Sequence, residues 1–332
     1  MAATITRSQR IRMRNSEYWR LRDIIDRGDE DEVLRRLAQL LEDGYDYTER
    51  QIFAFYGKFA IDNGLTYEEA TRLLTPIEFR ECANRIQRLK DLADNLGNTP
   101  FELARKEQIK REIRILQGRG RITRLQALSD SINEKWIEIT LQIDREIGEL
   151  LSGTYTREYR ESLLEAGIRK IVIPVKQVEA AILIPTFGYH FSDNVWRNKN
   201  NLLAFINTEL KRGLVIGRDV RKTAKILQRQ EAVTYKQAER LVRTENCVAR
   251  TQGTLNGYKN SGTVNAVEIL VANDERMCPN CGSRAGTVIQ LDKAVIGNNI
   301  PPFHCNCRCC IFSCAVHHSR FSTLLSVFMP DM

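Results

Sequence analysis

The chain has 332 residues, 42% of them hydrophobic and 28% charged, an ordinary globular composition with material for a sizeable core and about two domains. No window approaches the roughly 18 consecutive apolar residues of a membrane span, and the basic N-terminus lacks the apolar run of a secretory signal, so folding in a cytoplasm is expected. The net charge of +8 is uneven: residues 201–250 hold 11 basic and 5 acidic groups, which suits a polyanion such as double-stranded DNA, although a solvated helix face explains such a run as well.

The first half reads as helix after helix. Ser16 can cap a first helix that a Gly28-Asp29 break ends, and a second is expected to stop at Gly44. Thr48-Glu-Arg-Gln51 and Thr66-Tyr-Glu-Glu69 have the form of capping boxes. Thr75-Pro-Ile-Glu78 and Thr99-Pro-Phe-Glu102 add a proline at the first helical position, and predict helices to about Gly97 and about Gln117. Gly118-Arg-Gly120 marks a turn. A long amphipathic helix follows from Ile122 to Leu151, with Leu125, Leu128, Ile132, Trp136, Ile139, Ile143 and Ile147 on one stripe. Two short apolar runs broken by Pro174 and Pro185 predict an extended linker or short strands. Helices resume at Ser192, one reaching Gly213, one ending near Gln230, and one capped by Thr234 and ending before Gly262. Val264 to Val271 alternates as a strand does.

Seven of the nine cysteines fall between Cys278 and Cys314. In a chain without a secretory signal such a cluster points to metal rather than to disulfides. Cys278-Pro-Asn-Cys281 puts two thiols on one tight turn, and His304 and Cys307 repeat the spacing after 22 intervening residues. Two such pairs make a Cys3His set, a closed structural zinc site with no position left for a reactive water. Cys305, Cys309, Cys310 and Cys314 compete as ligands. Cys82 and Cys247 lie in helical patterns and read as small core residues, and His190, His317 and His318 as surface or linker residues. The zinc-deaminase pattern H-x-E followed by P-C-x-x-C is absent, as are H-E-x-x-H, G-x-S-x-G and the phosphate-binding G-x-x-x-x-G-K-[ST]. Within Arg243-Thr244-Glu245 the two charged residues point apart on a helix and need separate partners; Asp274 and Arg276 are candidates for buried pairing.

Several elements taken in order resemble the phage Mu F-like head-morphogenesis family: Phe191-Ser-Asp-Asn-Val-Trp196, Leu210-Lys-Arg-Gly213, Ala238-Glu-Arg-Leu-Val-Arg243-Thr-Glu245, Cys278-Pro-Asn-Cys281 and Pro301-Pro-Phe-His304-Cys-Asn-Cys307-Arg-Cys309. The chain departs from the family pattern at Cys305, where proline usually follows the histidine. The resemblance implies a minor capsid protein lying inside the virion head near the portal, and the lack of a recognised catalytic motif leads to the expectation that it is not an enzyme. Its implied partners are portal, capsid or scaffold proteins and packaged DNA, with which it could leave on ejection. Lys211, Arg212, Arg218, Arg221 and Lys222 are the expected contacts to DNA or portal. The alternative is a hydrolase or toxin-like nuclease using Arg243, Glu245 and Asp274.

The expected fold is mainly α: an elongated helical N-terminal domain (1–165), a linker (166–190), a smaller α+β domain with the Cys/His module (191–314) and a tail (315–332).

Overall fold

A computed structural model describes residues 7–59, 65–117, 122–271 and 275–314, with side chains outside 7–26 and 80–83. The Gly118–Gly120 turn, Asp274, His317, His318 and the side chain of Cys82 lie outside the described residues.

The protein is mainly helical. In chain order come α1 (Arg7–Phe59), α2 (Tyr67–Ala70), α3 (Pro76–Asp94), α4 (Pro100–Gln117), α5 (Arg124–Glu165), α6 (Val175–Ile182), α7 (Phe191–Val215) and α8 (Val220–Ser261). After α8 come β1 (Ala266–Leu270), the short helix α9 (Pro279–Gly282), β2 (Val288–Gln290) and β3 (Cys310–Ser313). No described helix is long and apolar enough to cross a membrane.

The capping boxes at Thr66 and Thr75 form as the sequence predicts, each hydroxyl accepting from the backbone of the Glu three residues on. Thr99 and Glu102 exchange the same pair of bonds, at 3.0 and 3.4 Å. Other expected boundaries are absent. Ser16, Gly28, Gly44 and Thr48 all lie inside α1. Thr48 does not cap: its hydroxyl donates to the Gly44 carbonyl at 2.8 Å and accepts from Trp136 Nε1 at 3.0 Å. Likewise α8 runs unbroken through Gln230 and Thr234, because the Thr234 hydroxyl donates to the Gln230 carbonyl and meets the Tyr45 hydroxyl at 2.8 Å. The cap of α7 is His190 rather than Ser192. His190 Nδ1 accepts from the Asp193 amide at 3.2 Å, so this residue has a structural role and is not an idle linker side chain.

α5 continues past Leu151 because its buried face does, through Tyr155, Tyr159 and Leu163. The expected strands around Ile168 to Gly188 are replaced by α6. Pro174 stands at its N-cap and Pro185 lies just past its end, so the two prolines bracket a helix instead of interrupting strands.

The chain divides into two compact units, one of residues 1–32, 149–189 and 240–332, the other of 33–148 and 190–239. In the second, Leu89 and Ala93 of α3, Ile109 and Ile113 of α4, Ile137 and Leu141 of α5 and Trp196 of α7 form a buried core. In the first, the antiparallel sheet has the order β2-β1-β3, with Val267 opposite Ile289 and Ile269 opposite Ile311. The predicted alternation holds: Val267 and Ile269 are buried, and Ala266, Glu268 and Leu270 are partly exposed. Val267 and Ile311 pack with Leu291, Ala294 and Ile300 against Leu255 and Tyr258 of α8. Glycine lets α8 lie against α5 within this unit: a Cβ at Gly253 would stand 2.5 Å from the Tyr155 carbonyl oxygen, and one at Gly257 2.8 Å from that of Tyr159.

Candidate metal centre

Beside the sheet the chain makes two tight turns. In the first, Cys278 caps α9 and its sulfur accepts from the Cys281 amide at 3.4 Å, so both thiols face one side. In the second, Asn306 takes a left-handed conformation (φ 59°), and the Cys307 amide returns to the His304 carbonyl at 3.2 Å. This turn brings His304 and Cys307 to the first pair. His304 Nε2 lies 3.2 Å from Cys278 Sγ and 3.0 Å from Cys281 Sγ, and Cys281 Sγ lies 3.8 Å from Cys307 Sγ.

These donors suit one tetrahedral ion. Two sulfurs bound to zinc at about 2.3 Å would stand about 3.8 Å apart, as Cys281 and Cys307 do. The His304 ring is oriented for the purpose: its Nδ1 is 2.7 Å from the Cys305 carbonyl, which fixes the proton there and turns the Nε2 lone pair toward the thiols. Among the described residues two groups could hold an ion, Cys278, Cys281 and His304, and Cys281, Cys307 and Cys309, sharing Cys281. Cys309, buried, is thus a fifth donor, while Cys305 is exposed and Cys310 and Cys314 belong to neither group. The eight described cysteines are all free.

The electrostatics of the cluster fit a cation. The Cys281 amide holds Cys278 below the usual thiol range. Burial pushes Cys281 up to about 12. Hydrogen bonds from Cys247 and Cys309 hold Cys307 far below the usual value, and Cys309 is raised by its bond to Cys307 and by burial. Burial works against His304 gaining a proton, but the Cys305 carbonyl and the surrounding sulfurs raise it nonetheless. The surroundings thus favour the thiolate at Cys278 and Cys307 and oppose it at Cys281 and Cys309. A divalent cation is what lets several such sulfurs ionise together.

The buttress is α8. The Thr244 hydroxyl donates to the Arg240 carbonyl at 2.7 Å and accepts from the Asn306 amide at 3.1 Å. Cys247 packs with Cys281, Cys307 and Cys309, and Arg250 donates to the Cys309 carbonyl at 3.3 Å. Cys247 is therefore part of the thiol cluster as well as of the core. Sequence reading missed Thr244 and Arg250; their spacing of six places them within two turns, but only the fold shows which turn of chain lies above them.

Residues 204–312 match the model of the family described as Phage Mu protein F like protein. Through this segment, about a third of the chain, the protein is similar to that family. No curated protein and no solved structure matches it. The Mu F-like segment starts in α7 and ends in β3, and so takes in both Cys/His turns and the stretch of α8 that supports them.

The charged residues singled out around this segment have distinct surroundings. Arg243 approaches Glu30 at 4.0 Å and Asp31 at 3.8 Å, both on α1, and Glu30 also accepts from Asn246 at 2.8 Å. Glu245 is buried and Arg276 exposed. Lys211, Arg212, Arg221 and Lys222 are exposed, whereas Arg218 is mostly covered and donates to Glu209 at 2.7 Å.

Proposed function

We propose that the chain is a minor structural protein of a tailed-phage head, whose Mu F-like segment is stabilised by a zinc ion on Cys278, Cys281, His304 and Cys307. The observation that carries the reading is the meeting of both Cys/His turns at one point inside the segment that defines the family. A closed set of four donors gives zinc a structural role. The ion cross-links two turns that have few apolar side chains of their own, and can supply on the order of 10 kcal/mol of apparent binding free energy to folding. Cys309 is the replacement ligand if one of the four is lost.

The assembly side of the reading places the protein inside the head beside the portal, with packaged DNA or portal against the exposed Lys211, Arg212, Arg221 and Lys222. Clustered cations attract a polyanion whatever its sequence. Arg218 contributes less, because Glu209 holds it.

Two measurements test the two halves separately. Elemental mass spectrometry of purified full chain is expected to find one zinc, and Cys278→Ser is expected to lose it; metal-free protein kept reduced throughout would overturn the zinc site. Quantitative mass spectrometry of purified heads is expected to find the chain in low copy beside the portal protein. Its absence from heads would overturn the assembly reading.

A further inference from the structure

The thiol cluster holds more donors than one tetrahedral ion can use. Among the described residues the donors form two groups, Cys278, Cys281 and His304, and Cys281, Cys307 and Cys309, with the ligand atoms of each group within 4.8 Å of one another. Cys281 belongs to both groups, whereas Cys309 belongs to the second alone. Cys281 Sγ accordingly has His304 Nε2 at 3.0 Å and Cys307 Sγ at 3.8 Å. A sixth donor is Cys247 of α8, which packs with Cys281, Cys307 and Cys309 in one cluster and shares a thiol hydrogen bond with Cys307.

We propose that this cluster takes a second zinc ion beside the structural one, with Cys281 and Cys307 bridging the two. The donor count suits such a pair. Two four-coordinate ions that share two thiolates need six donors in all. Cys278 and His304 would serve the first ion only, Cys247 and Cys309 the second only, and Cys281 and Cys307 both. The geometry suits it as well. Two bridging sulfurs are ligands of the same ion twice over, so their separation stays near the roughly 3.8 Å of two thiolates on one zinc, the spacing that Cys281 and Cys307 show. The chemistry of the second group also selects the metal. All four of its donors are sulfur, which favours zinc over the oxygen-seeking calcium and magnesium, and all four are buried, as in a closed structural site.

The second ion is held more weakly than the first. It shares two thiolates whose charge the first ion already draws on, and two divalent cations a few ångströms apart repel one another. The chain as purified therefore carries one zinc, and the second enters when free zinc is raised. Its effect is mechanical. The first ion joins the two Cys/His turns to each other, whereas the second, through Cys247, ties them to α8. This inference rests on the structural zinc of the proposed function and adds a second site to it.

The test is a count of bound zinc. The full chain as purified, kept reduced, is brought to equilibrium by dialysis against graded zinc, and bound metal per chain is read by elemental mass spectrometry. Bound zinc is expected to rise from one to two per chain and then level off. Cys309→Ser and Cys247→Ser are expected to level at one, and Cys305→Ser, which alters an exposed thiol, at two. Cadmium exchanged into the wild type is expected to give two cadmium resonances by NMR, one for a set of three sulfurs and a nitrogen and one for four sulfurs. A wild-type plateau at one zinc overturns the second site and leaves the structural zinc standing, with Cys309 as a spare ligand. No bound zinc at all overturns both. A second ion that survives Cys309→Ser, or that is lost with Cys305→Ser, is adventitious binding elsewhere and overturns the proposal too. If the buried cysteine variants fail to fold, the wild-type count and its cadmium spectrum still decide, since a single resonance refutes the pair.

Discussion

Thr244 is the smallest side chain in the Arg243-Thr244-Glu245 triplet, and it makes the link between helix and metal turn. One hydroxyl serves the Arg240 carbonyl and the Asn306 amide, and Thr244 is buried. Thr244→Val keeps the shape and removes both bonds, and with them the tie from α8 to the second turn. A loss of about 1–3 kcal/mol is expected, with Thr244→Ser retaining most of the stability, as read from denaturant unfolding of the metal-replete protein. Equal stability of the valine variant and wild type would show that the second turn holds itself. This residue was hidden in the sequence for a physical reason. A charged pair two positions apart on a helix announces that it needs partners, whereas a helical threonine can satisfy itself on the preceding turn and gives no sign of a second bond. The ligands were legible for the opposite reason, since a C-x-x-C spacing fixes two sulfurs on one turn whatever surrounds it. What spacing could not tell was that Cys309 and Cys247 would pack against them.

At the scale of elements some beginnings are legible and others are not: Thr66, Thr75 and Thr99 start helices, whereas Ser16, Thr48 and Thr234 lie inside them. Thr-Pro-x-Glu starts helices because the cap, the fixed proline φ and the reciprocal glutamate act within four residues. Glycine was less informative, because a helix tolerates it at a cost of about 1 kcal/mol when packing offsets that cost. Gly44 and Gly28 separate the two cases. A Cβ at Gly44 would come within 2.8 Å of Trp136 and Ile139, whereas one at Gly28 meets nothing within 4 Å. Gly44→Ala is therefore expected to destabilise by at least about 1 kcal/mol, on the order of other overpacking changes, and Gly28→Ala to stabilise by up to about 1 kcal/mol, both read as shifts in the unfolding midpoint. The same sign for both would mean that propensity, not packing, decides at these sites. Polar ties inside the second unit were not legible at all. Lys199 of α7 donates to Glu112 of α4 at 2.6 Å and to Asn133 of α5 at 3.1 Å, with its side chain 1% exposed. Asp144 of α5 in turn receives Arg105 of α4 and Ser192 of α7. The same three helices are thus fastened twice. Burial lowers the Lys199 ammonium below the usual lysine range although Glu112 opposes the change. Its pairing is therefore a matter of not stranding a charge. Lys199→Met alone is expected to cost about 3–5 kcal/mol by leaving Glu112 unpaired, and Lys199→Met with Glu112→Leu much less. A double variant as unstable as the sum of both singles would refute the coupling.

Over the whole molecule, local pattern predicts helices and the sheet strand, but not which segments gather into one core. α1, α5 and α8 each contribute residues to both compact units, and the contacts that decide this join residues more than a hundred positions apart, such as Asn246 to Glu30 and Arg157 to Asp29 at 2.9 Å. No periodicity encodes such a pairing. The division has a consequence for metal removal. The candidate donors and their buttress on α8 all fall in the unit formed by residues 1–32, 149–189 and 240–332, while the other unit has its own core on Leu89, Ile109, Ile137 and Trp196 and no Cys/His group among its described residues. Stability is local where cores are separate. Stripping the metal with a chelator under reducing conditions is therefore expected to speed amide exchange in the sheet strands and the Cys/His turns, and in α8 from Arg243 to Tyr258, by at least tenfold. Exchange around Leu89, Ile109 and Ile137 should stay within a factor of two. Far-ultraviolet circular dichroism should change little, because α9 is the one helix formed by the Cys turns and it spans four residues. Unchanged exchange throughout would mean that the turns stand on hydrogen bonds and apolar packing alone. Faster exchange in both cores would mean that the metal is a keystone of the whole fold, and a variant such as Cys278→Ser should then fail to accumulate as soluble protein.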